Sequence, residues 1–159
     1  GVYLKVDEKY HPTWFYDLNS KAWSTFVNHH ETDTLKVPNF FASGSSYDPD
    51  RNVIWAIKPS QLWFIDSNRQ GWKQVVFKRG AFPAIQIHFN VEYDTARHNL
   101  AVFGHNQNIN QIKIYTPNAN PEIAGKWELR TPQGDSFPVD SQIPVAFDQQ
   151  SGVFVLRPS

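Results

Sequence analysis

Metal-ligating side chains come closest together at His29, His30 and Glu31, with Asp33 two positions further on. Imidazole and carboxylate groups are common ligands of divalent metal ions. Adjacent histidines rarely converge on one ion without additional ligands, however, and the sequence has no cysteine that could supply them. We therefore interpret this segment as a solvated loop, and we expect neither a metal site nor a bound cofactor.

Polar side chains that could bind an uncharged ligand are concentrated in the segment 105–110, which contains one histidine and three asparagines. Amide groups can hydrogen-bond sugar hydroxyls or a peptide backbone, although asparagine is also favoured in turns because it tolerates positive φ. Two further candidates precede or enter an apolar, strand-like run. The candidate ligand-binding residues are Arg79, His88, His105, Asn106 and Asn108.

Aromatic residues offer another kind of site. Trp14, Trp55 and Trp63 could form a platform for sugar rings, but they stand in alternating, strand-like runs, which favours packing in a core. The sequence contains no Gly-x-Ser-x-Gly motif, no cysteine nucleophile and no glycine-rich phosphate loop, so we assign no catalytic residue. A carboxylate pair for glycoside hydrolysis stays open, because the separation of such a pair depends on the fold.

Net charge and hydropathy exclude two classes of partner. The 15 Lys and Arg side chains balance the 15 Asp and Glu side chains, and no basic block could neutralise a row of phosphates. No apolar run approaches the roughly 18 residues needed to cross a bilayer. We therefore expect no nucleic-acid partner and no membrane span.

The elements that must position these residues form an internal repeat. Strand-like runs end at Asp17, Asp66 and Thr116, which lie 49 and 50 positions apart, and a tryptophan follows each of them. Three turn-rich segments also recur, each ending in Asn or Gly and preceding a further apolar run. Such residues accept the positive φ of a tight hairpin. The turn-rich segments are 47–52, 93–99 and 147–152.

The repeat and the composition together predict the fold class. Aromatic residues make up 15% of the chain, and its apolar residues come in short alternating runs. Each repeat of about 50 residues accommodates four short strands. We predict an all-β chain, specifically a β-propeller made of four-stranded antiparallel blades.

This arrangement resembles the kelch repeat, in the divergent form grouped with the central domain of galactose oxidase. The resemblance is carried by Trp127 and the residues to 134, which lead to Phe147-Asp148, and by Tyr93-Asp94, which leads to 102–105. It covers nearly the whole chain and implies a propeller. Analogy with bacterial kelch proteins also suggests a secreted or periplasmic location. The resemblance does not extend to copper oxidase chemistry, since the cysteine which that chemistry requires has no counterpart in this sequence.

About three blades fit in the chain, which we treat as one propeller segment with approximate repeats 1–46, 47–92 and 93–146, while 147–159 begin a further blade. Closed propellers have about four to eight blades. Terminal blades that stayed open would expose apolar faces and strand edges. We therefore expect either a homodimer that completes a ring of about six blades or a half ring whose remainder lies in a longer chain. An open module is the third possibility.

A repeat architecture without a catalytic signature favours a non-catalytic module that binds a protein or a glycan through its loop face, or that acts as a scaffold. Two alternatives stay open. The chain could be a fragment of a carbohydrate-active propeller enzyme whose acid and base are shared with other blades. It could also be a structural assembly module completed by dimerisation.

Overall fold

The computed structural model describes residues 13–26, 44–68, 71–85, 89–104, 112–134 and 144–156. Regular structure in these ranges consists of β-strands, arranged as two four-stranded sheets and two two-stranded hairpins. The prediction of an all-β chain with four-stranded antiparallel sheets is confirmed. Within these ranges there is no helix long and apolar enough to cross a membrane.

Four units follow one another along the chain, and all their strand pairs are antiparallel. The first hairpin contains β1 (Thr13–Asp17) and β2 (Ala22–Phe26). The first sheet contains β3 (Gly44–Asp48), β4 (Val53–Lys58), β5 (Gln61–Asp66) and β6 (Lys73–Val75). The second sheet contains β7 (Phe89–Asp94), β8 (Asn99–Gly104), β9 (Ile112–Thr116) and β10 (Lys126–Arg130). The last hairpin contains β11 (Val145–Asp148) and β12 (Val153–Leu156).

The two sheets correspond residue by residue near one end of their strands. Asp48 pairs with Val53 across the first turn of the first sheet, and Asp94 pairs with Asn99 in the second. One step further from the turn, Ile54 pairs with Ile65 in the first sheet, and Leu100 pairs with Tyr115 in the second. Side chains at equivalent positions can therefore be compared directly.

Side chains alternate between the two faces of each sheet, and both faces of each sheet are covered. Trp55 and Phe64 of the first sheet pack against Tyr115 of the second, with the ring centroids of Trp55 and Tyr115 5.8 Å apart. This inter-sheet core is the largest apolar cluster among the described residues. Its buried members are Val53, Trp55, Ile57, Leu62, Phe64, Val75, Ile85, Phe89, Val91, Tyr93, Leu100, Val102 and Tyr115.

The hairpins cover the outer faces of the pair of sheets. Phe15 of the first hairpin packs on the face of the first sheet that carries Trp63 and Ile65. At the other end of the row, Phe154 of the last hairpin packs on Phe103 of the second sheet, with 5.0 Å between ring centroids. The four units thus form a row in which each successive pair shares an apolar interface.

The first strands of the two sheets and of the last hairpin lie side by side, since β3 contacts β7 and β7 contacts β11. Gly44 permits the close approach of β3 to β7, because a Cβ atom at this position would lie 2.6 Å from Val91 Cγ2. Ser46 Oγ of β3 also accepts a hydrogen bond from the Tyr93 backbone N–H at 3.0 Å. These contacts place the first turns of the two sheets at the same end of their strands.

Candidate functional site

Several described charged side chains lie at the end of the strands where the first and second strands of each unit are joined by a turn. We call this the turn end. Each of these turns begins with an aspartate at the end of a first strand. Asp48 Oδ1 accepts hydrogen bonds from the backbone N–H groups of Asp50 and Arg51 at 3.0 and 3.2 Å. Asp94 Oδ1 caps its turn in the same way, at 2.9 Å from both N–H groups. The aspartates therefore satisfy backbone donors that a tight turn leaves unpaired.

A residue with positive φ closes each of these turns four positions after the aspartate. In the first sheet it is Asn52, with φ of 52°, and in the last hairpin it is Gly152, with φ of 68°. In the second sheet His98 has this conformation, with φ of 56°, whereas the sequence pattern pointed to Asn99. Asn99 instead begins β8 and is buried, because its pairing with Asp94 places it in the strand.

Arg51 extends from the first turn of the first sheet into the second sheet. Its Nη1 donates to Asp48 Oδ2 at 2.9 Å and to Tyr93 Oη at 3.2 Å. Its Nε and Nη2 donate to the carbonyl oxygens of Asn118 at 2.7 Å and Pro117 at 3.2 Å, in the loop that follows β9. One guanidinium group thereby joins three chain segments, an arrangement that suits its planar set of five donors.

Arg51 and Asp48 form a largely buried ion pair. The Asp48 side chain is fully buried, and its Oδ2 also accepts the indole N–H of Trp55 at 2.9 Å. Burial lowers the pKa of Arg51, but its hydrogen bond and charge attraction with Asp48 outweigh that effect, so the pKa is raised above the usual value. The group therefore stays charged and holds the buried carboxylate between the sheets.

Tyr93, Asp50 and His98 extend the network toward the surface. The Tyr93 hydroxyl donates a short hydrogen bond to Asp50 Oδ2, and His98 Nδ1 lies 2.6 Å from the same oxygen. The hydrogen bond from Tyr93, followed by that from His98, lowers the pKa of Asp50. Burial, followed by the bond to Asp50, raises the pKa of Tyr93 above its usual range. Tyr93 is therefore held in its protonated form as a hydrogen-bond donor, and it is a weaker acid than an exposed tyrosine.

A weaker version of the same contact joins the second sheet to the last hairpin. Arg97 Nη1 donates to Asp94 Oδ2 at 2.7 Å and to the carbonyl oxygen of Gly152 at 3.3 Å. Arg97 stands three positions after its aspartate, as Arg51 does. In both sheets, then, the arginine of one first turn reaches the next unit along the row.

A cavity of about 210 Å³ lies at the turn end between the first hairpin and the first sheet. Its wall combines aromatic, amide and hydroxyl groups, and Tyr47 Oη donates to Asn52 Oδ1 at 2.9 Å within it. The lining residues are Phe15, Tyr47, Asn52, Val53, Ile54, Ile65, Asp66 and Ser67.

Of the five residues proposed from sequence as ligand-binding, Arg79 alone lies within the described residues, so the site they would form stays a prediction. Arg79 is exposed in the segment between β6 and β7, within a turn in which the Ala81 N–H donates to the Lys78 carbonyl at 2.9 Å. The other four candidates, His88, His105, Asn106 and Asn108, fall outside the described residues, as does the segment 29–33. In the described ranges, no three His, Asp or Glu side chains come together in a way that could hold a metal ion.

The tryptophans divide between the core and the surface. Trp55 and Trp63 are buried, as strand alternation indicated, and they form no platform. Trp14 is 49% exposed and shares a face of the first hairpin with Trp23, their ring centroids being 6.4 Å apart.

The sequence interpretation missed the Arg51 network. The available signal was an aspartate followed three positions later by arginine, which occurs in the first turn of both sheets at 48–51 and 94–97. No protein-family model matches the chain, and a search among curated proteins found none similar to it. The kelch resemblance accordingly stays a prediction.

Proposed function

We propose that the chain is part of a kelch-like β-propeller that serves as a non-catalytic binding or scaffolding module for a protein or a glycan. The observation that carries this proposal is the row of units, in which first strands stand side by side and each successive pair of units shares an apolar interface. Blades around a common axis have this relation. The binding face would be the loop face, which lies at the opposite end of the strands from the turn end.

The chemistry of the turn end supports assigning recognition to the opposite end. Arg51, Asp48 and Tyr93 are engaged in hydrogen bonds between units, so these groups serve the packing of the sheets. The loop between β4 and β5 marks the other end of the strands. There the Ile85 N–H approaches the carbonyl oxygen of Pro59 at 3.4 Å, which places the segment after Arg79 beside that loop.

A glycan array probed with the labelled protein tests this function. We expect binding to a restricted set of glycans, weakened about tenfold by Arg79→Ala through loss of a charged hydrogen-bond donor. Arg130→Ala removes an exposed arginine from an outer strand instead and should leave binding unchanged. Hydrolysis of a bound glycan that a single Asp or Glu substitution abolishes would contradict the proposal and support the alternative of an enzyme fragment.

Exposed apolar faces at the two ends of the row favour a second candidate, an assembly module completed by another copy. Trp14, Tyr16 and Trp23 of the first hairpin are each at least 45% exposed, and Val153 and Val155 of the last hairpin are about half exposed. In the repeat, β1–β2 correspond to the third and fourth strands of a sheet and β11–β12 to the first and second. A last hairpin from one copy and a first hairpin from another would together make one four-stranded unit.

Light scattering coupled to size exclusion tests the second candidate. We expect twice the 18.4 kDa mass of the chain, and a monomer for Trp23→Arg, which places a charge on the shared apolar face. Leu18→Arg changes the exposed turn of the same hairpin and should leave the dimer intact. A wild-type monomer at high concentration would rule out assembly through these hairpins.

A further inference from the structure

The two ends of the strands differ in their charged side chains. In the described part of the chain, every Asp and Glu lies at the turn end, apart from Glu92 and Glu128 within strands. The described segments that connect strands at the loop face contain no carboxylate, and the sequence has no Asp or Glu between Asp66 and Glu92. Those described segments are 59–60, 76–85 and 131–134. Among the described residues, the loop face is therefore the cationic end.

The cations of the two ends also differ in their partners. At the turn end, Arg51 and Arg97 are each bonded to an aspartate. Toward the loop face, Lys78, Arg79 and Lys113 form no ion pair with any described residue. Arg51 and Arg97 thus serve the contacts between units, whereas the charges of the other three side chains stay available to a ligand.

A tight turn presents two of these cations to solvent. The Ala81 N–H donates to the Lys78 carbonyl at 2.9 Å, and Gly80 has the positive φ, 78°, that such a turn needs at its third position. Lys78 and Arg79 are both exposed. We call residues 78–81 the cationic turn.

Aromatic packing anchors the cationic turn on the second sheet. Phe77 and Phe82 flank the turn, and their ring centroids lie 5.2 Å apart. Phe77 packs on Tyr115 at 6.0 Å, and Phe82 packs on Trp127 at 5.3 Å. The backbone that carries the two cations is therefore held in place before a ligand arrives, which reduces the entropy lost on binding.

Lys113 lies on the same face of the second sheet as this anchor. It stands two positions before Tyr115 on β9, and it pairs with Leu129 near the loop end of the strands. Its side chain is half-buried, and burial lowers its pKa. A partly desolvated ammonium without an anionic partner costs stability, and an anionic ligand would offset that cost.

From this arrangement we propose that the loop face binds an acidic glycan, whose carboxylate or sulfate groups contact Lys78, Arg79 and Lys113. The inference rests on the proposed binding function and adds the chemical class of the ligand. Peptide ligands are usually anchored by apolar side chains in pockets. At the cationic turn the two flanking rings are engaged in packing, so the turn offers a ligand charged hydrogen-bond donors, which suit the anionic groups of a glycan.

Isothermal titration of the full chain with hexagalacturonate and with a sulfated galactose hexamer tests the proposal. We expect at least one of them to bind, and its neutral form, the methyl ester or the unsulfated hexamer, to bind at least about tenfold more weakly. Failure of both acidic hexamers, or equal binding of acidic and neutral forms, would overturn the inference. Hexa-aspartate binding as tightly as the acidic hexamers would overturn the assignment to a glycan.

The glycan array separates this inference from the function on which it rests. Binding confined to neutral glycans would overturn the acidic class while leaving the loop face as a binding surface. Absence of binding to every glycan on the array and to all the hexamers would count against both.

A matched pair of double variants locates the contact. Lys78→Gln with Arg79→Gln should weaken binding of the acidic hexamer about tenfold. Lys21→Gln with Lys126→Gln removes the same charge from two exposed lysines at the turn end and should leave binding unchanged. Equal losses in the two double variants would mean that the glycan responds to net charge and not to the loop face, and would overturn the proposal.

Lys113→Met separates binding from folding. Methionine keeps an unbranched apolar side chain without the charge, so this variant should weaken binding of the acidic hexamer roughly threefold. Its Tm should rise, because the substitution removes a partly desolvated charge. Unchanged binding, whatever the Tm, would exclude Lys113 from the site and overturn the proposal in this form.

Discussion

The two faces of the first sheet share one repeat plan and differ in what fills the space at the turn end. Between the two sheets, Arg51 occupies that space and bonds to both. Between the first hairpin and the first sheet there is a cavity of about 210 Å³. The two equivalent tyrosines differ in exposure accordingly, since Tyr93 is 4% exposed and Tyr47 is 53% exposed.

This contrast separates the roles of the strand and of the neighbouring turn. Strand pairing places a tyrosine and the end of a third strand at the same position in both sheets. Burial of those polar groups additionally requires a cation from the preceding unit, because a desolvated hydroxyl or carbonyl needs a partner. The arginine three positions after the aspartate therefore acts as a connector between units in addition to bonding within its own turn.

Replacing the buried tryptophans on the two faces of the first sheet should have the largest effect on the free energy of unfolding. Trp55→Ala should lower the free energy of unfolding by about 3–5 kcal/mol, because Trp55 is fully buried between the sheets and donates to Asp48. Trp63→Ala should cost about 2–3 kcal/mol, since among the described residues a two-stranded hairpin, and not a four-stranded sheet, covers that face. Urea unfolding measures both values. Equal losses would mean that the hairpin packs as firmly as the second sheet.

Removing the connectors should have the next largest effect. Arg51→Ala leaves the buried Asp48 without its cation and should cost about 2–3 kcal/mol. Arg97 is 53% exposed, so Arg97→Ala should cost about 1 kcal/mol or less in the same urea unfolding assay. Arg51→Lys keeps the charge without the planar set of donors and should fall between wild type and Arg51→Ala. A cost for Arg97→Ala as large as that for Arg51→Ala would contradict the distinction between the two interfaces.

The sequence allowed the strands and the turns to be predicted, because both follow from local patterns. Alternation located runs such as 53–57 and 100–103, and the Asp-containing segments located the turns that join them. The partners of Arg51 could not be predicted in this way. Its acceptors at Pro117 and Asn118 lie 66 and 67 positions away, so their proximity depends on how the sheets pack. Arg79 was proposed from its place in the repeat. That place predicts that it lies near the end of a strand, but it does not predict which residues lie beside it.

Alkaline pH should weaken the inter-sheet network through Tyr93. Its pKa is raised in the folded protein, so the folded state keeps the hydroxyl proton at a pH where the unfolded chain, with a pKa near 10, loses it. Stability from this group is present below about pH 10 and falls above it, by at most about 1.4 kcal/mol per pH unit. Wild type should therefore lose more stability than Tyr93→Phe between about pH 10 and 11.

The control for this measurement is Tyr47→Phe, at the same repeat position but outside the inter-sheet network. Its unfolding free energy should follow the wild-type pH profile. If Tyr93→Phe also followed that profile, the Tyr93 hydroxyl would not be coupled to folding, and the contrast between the two tyrosines would reduce to a difference in exposure.

Acid should have the smallest effect, through Asp50. Hydrogen bonds from Tyr93 and His98 lower the pKa of Asp50 in the folded state, so its contribution is present above the unfolded pKa of about 3.9 and is lost as the pH falls through the lower folded value. Because the Asp50 side chain is 40% exposed, solvent screening should hold this contribution below about 1 kcal/mol.

Chemical unfolding between pH 5 and 2.5 should show wild type losing slightly more stability than Asp50→Asn. Glu128→Gln alters an exposed carboxylate on β10, away from the network, and should match wild type. A steeper loss for Asp50→Asn than for wild type would mean that the Asp50 carboxylate destabilises the contact between the sheets.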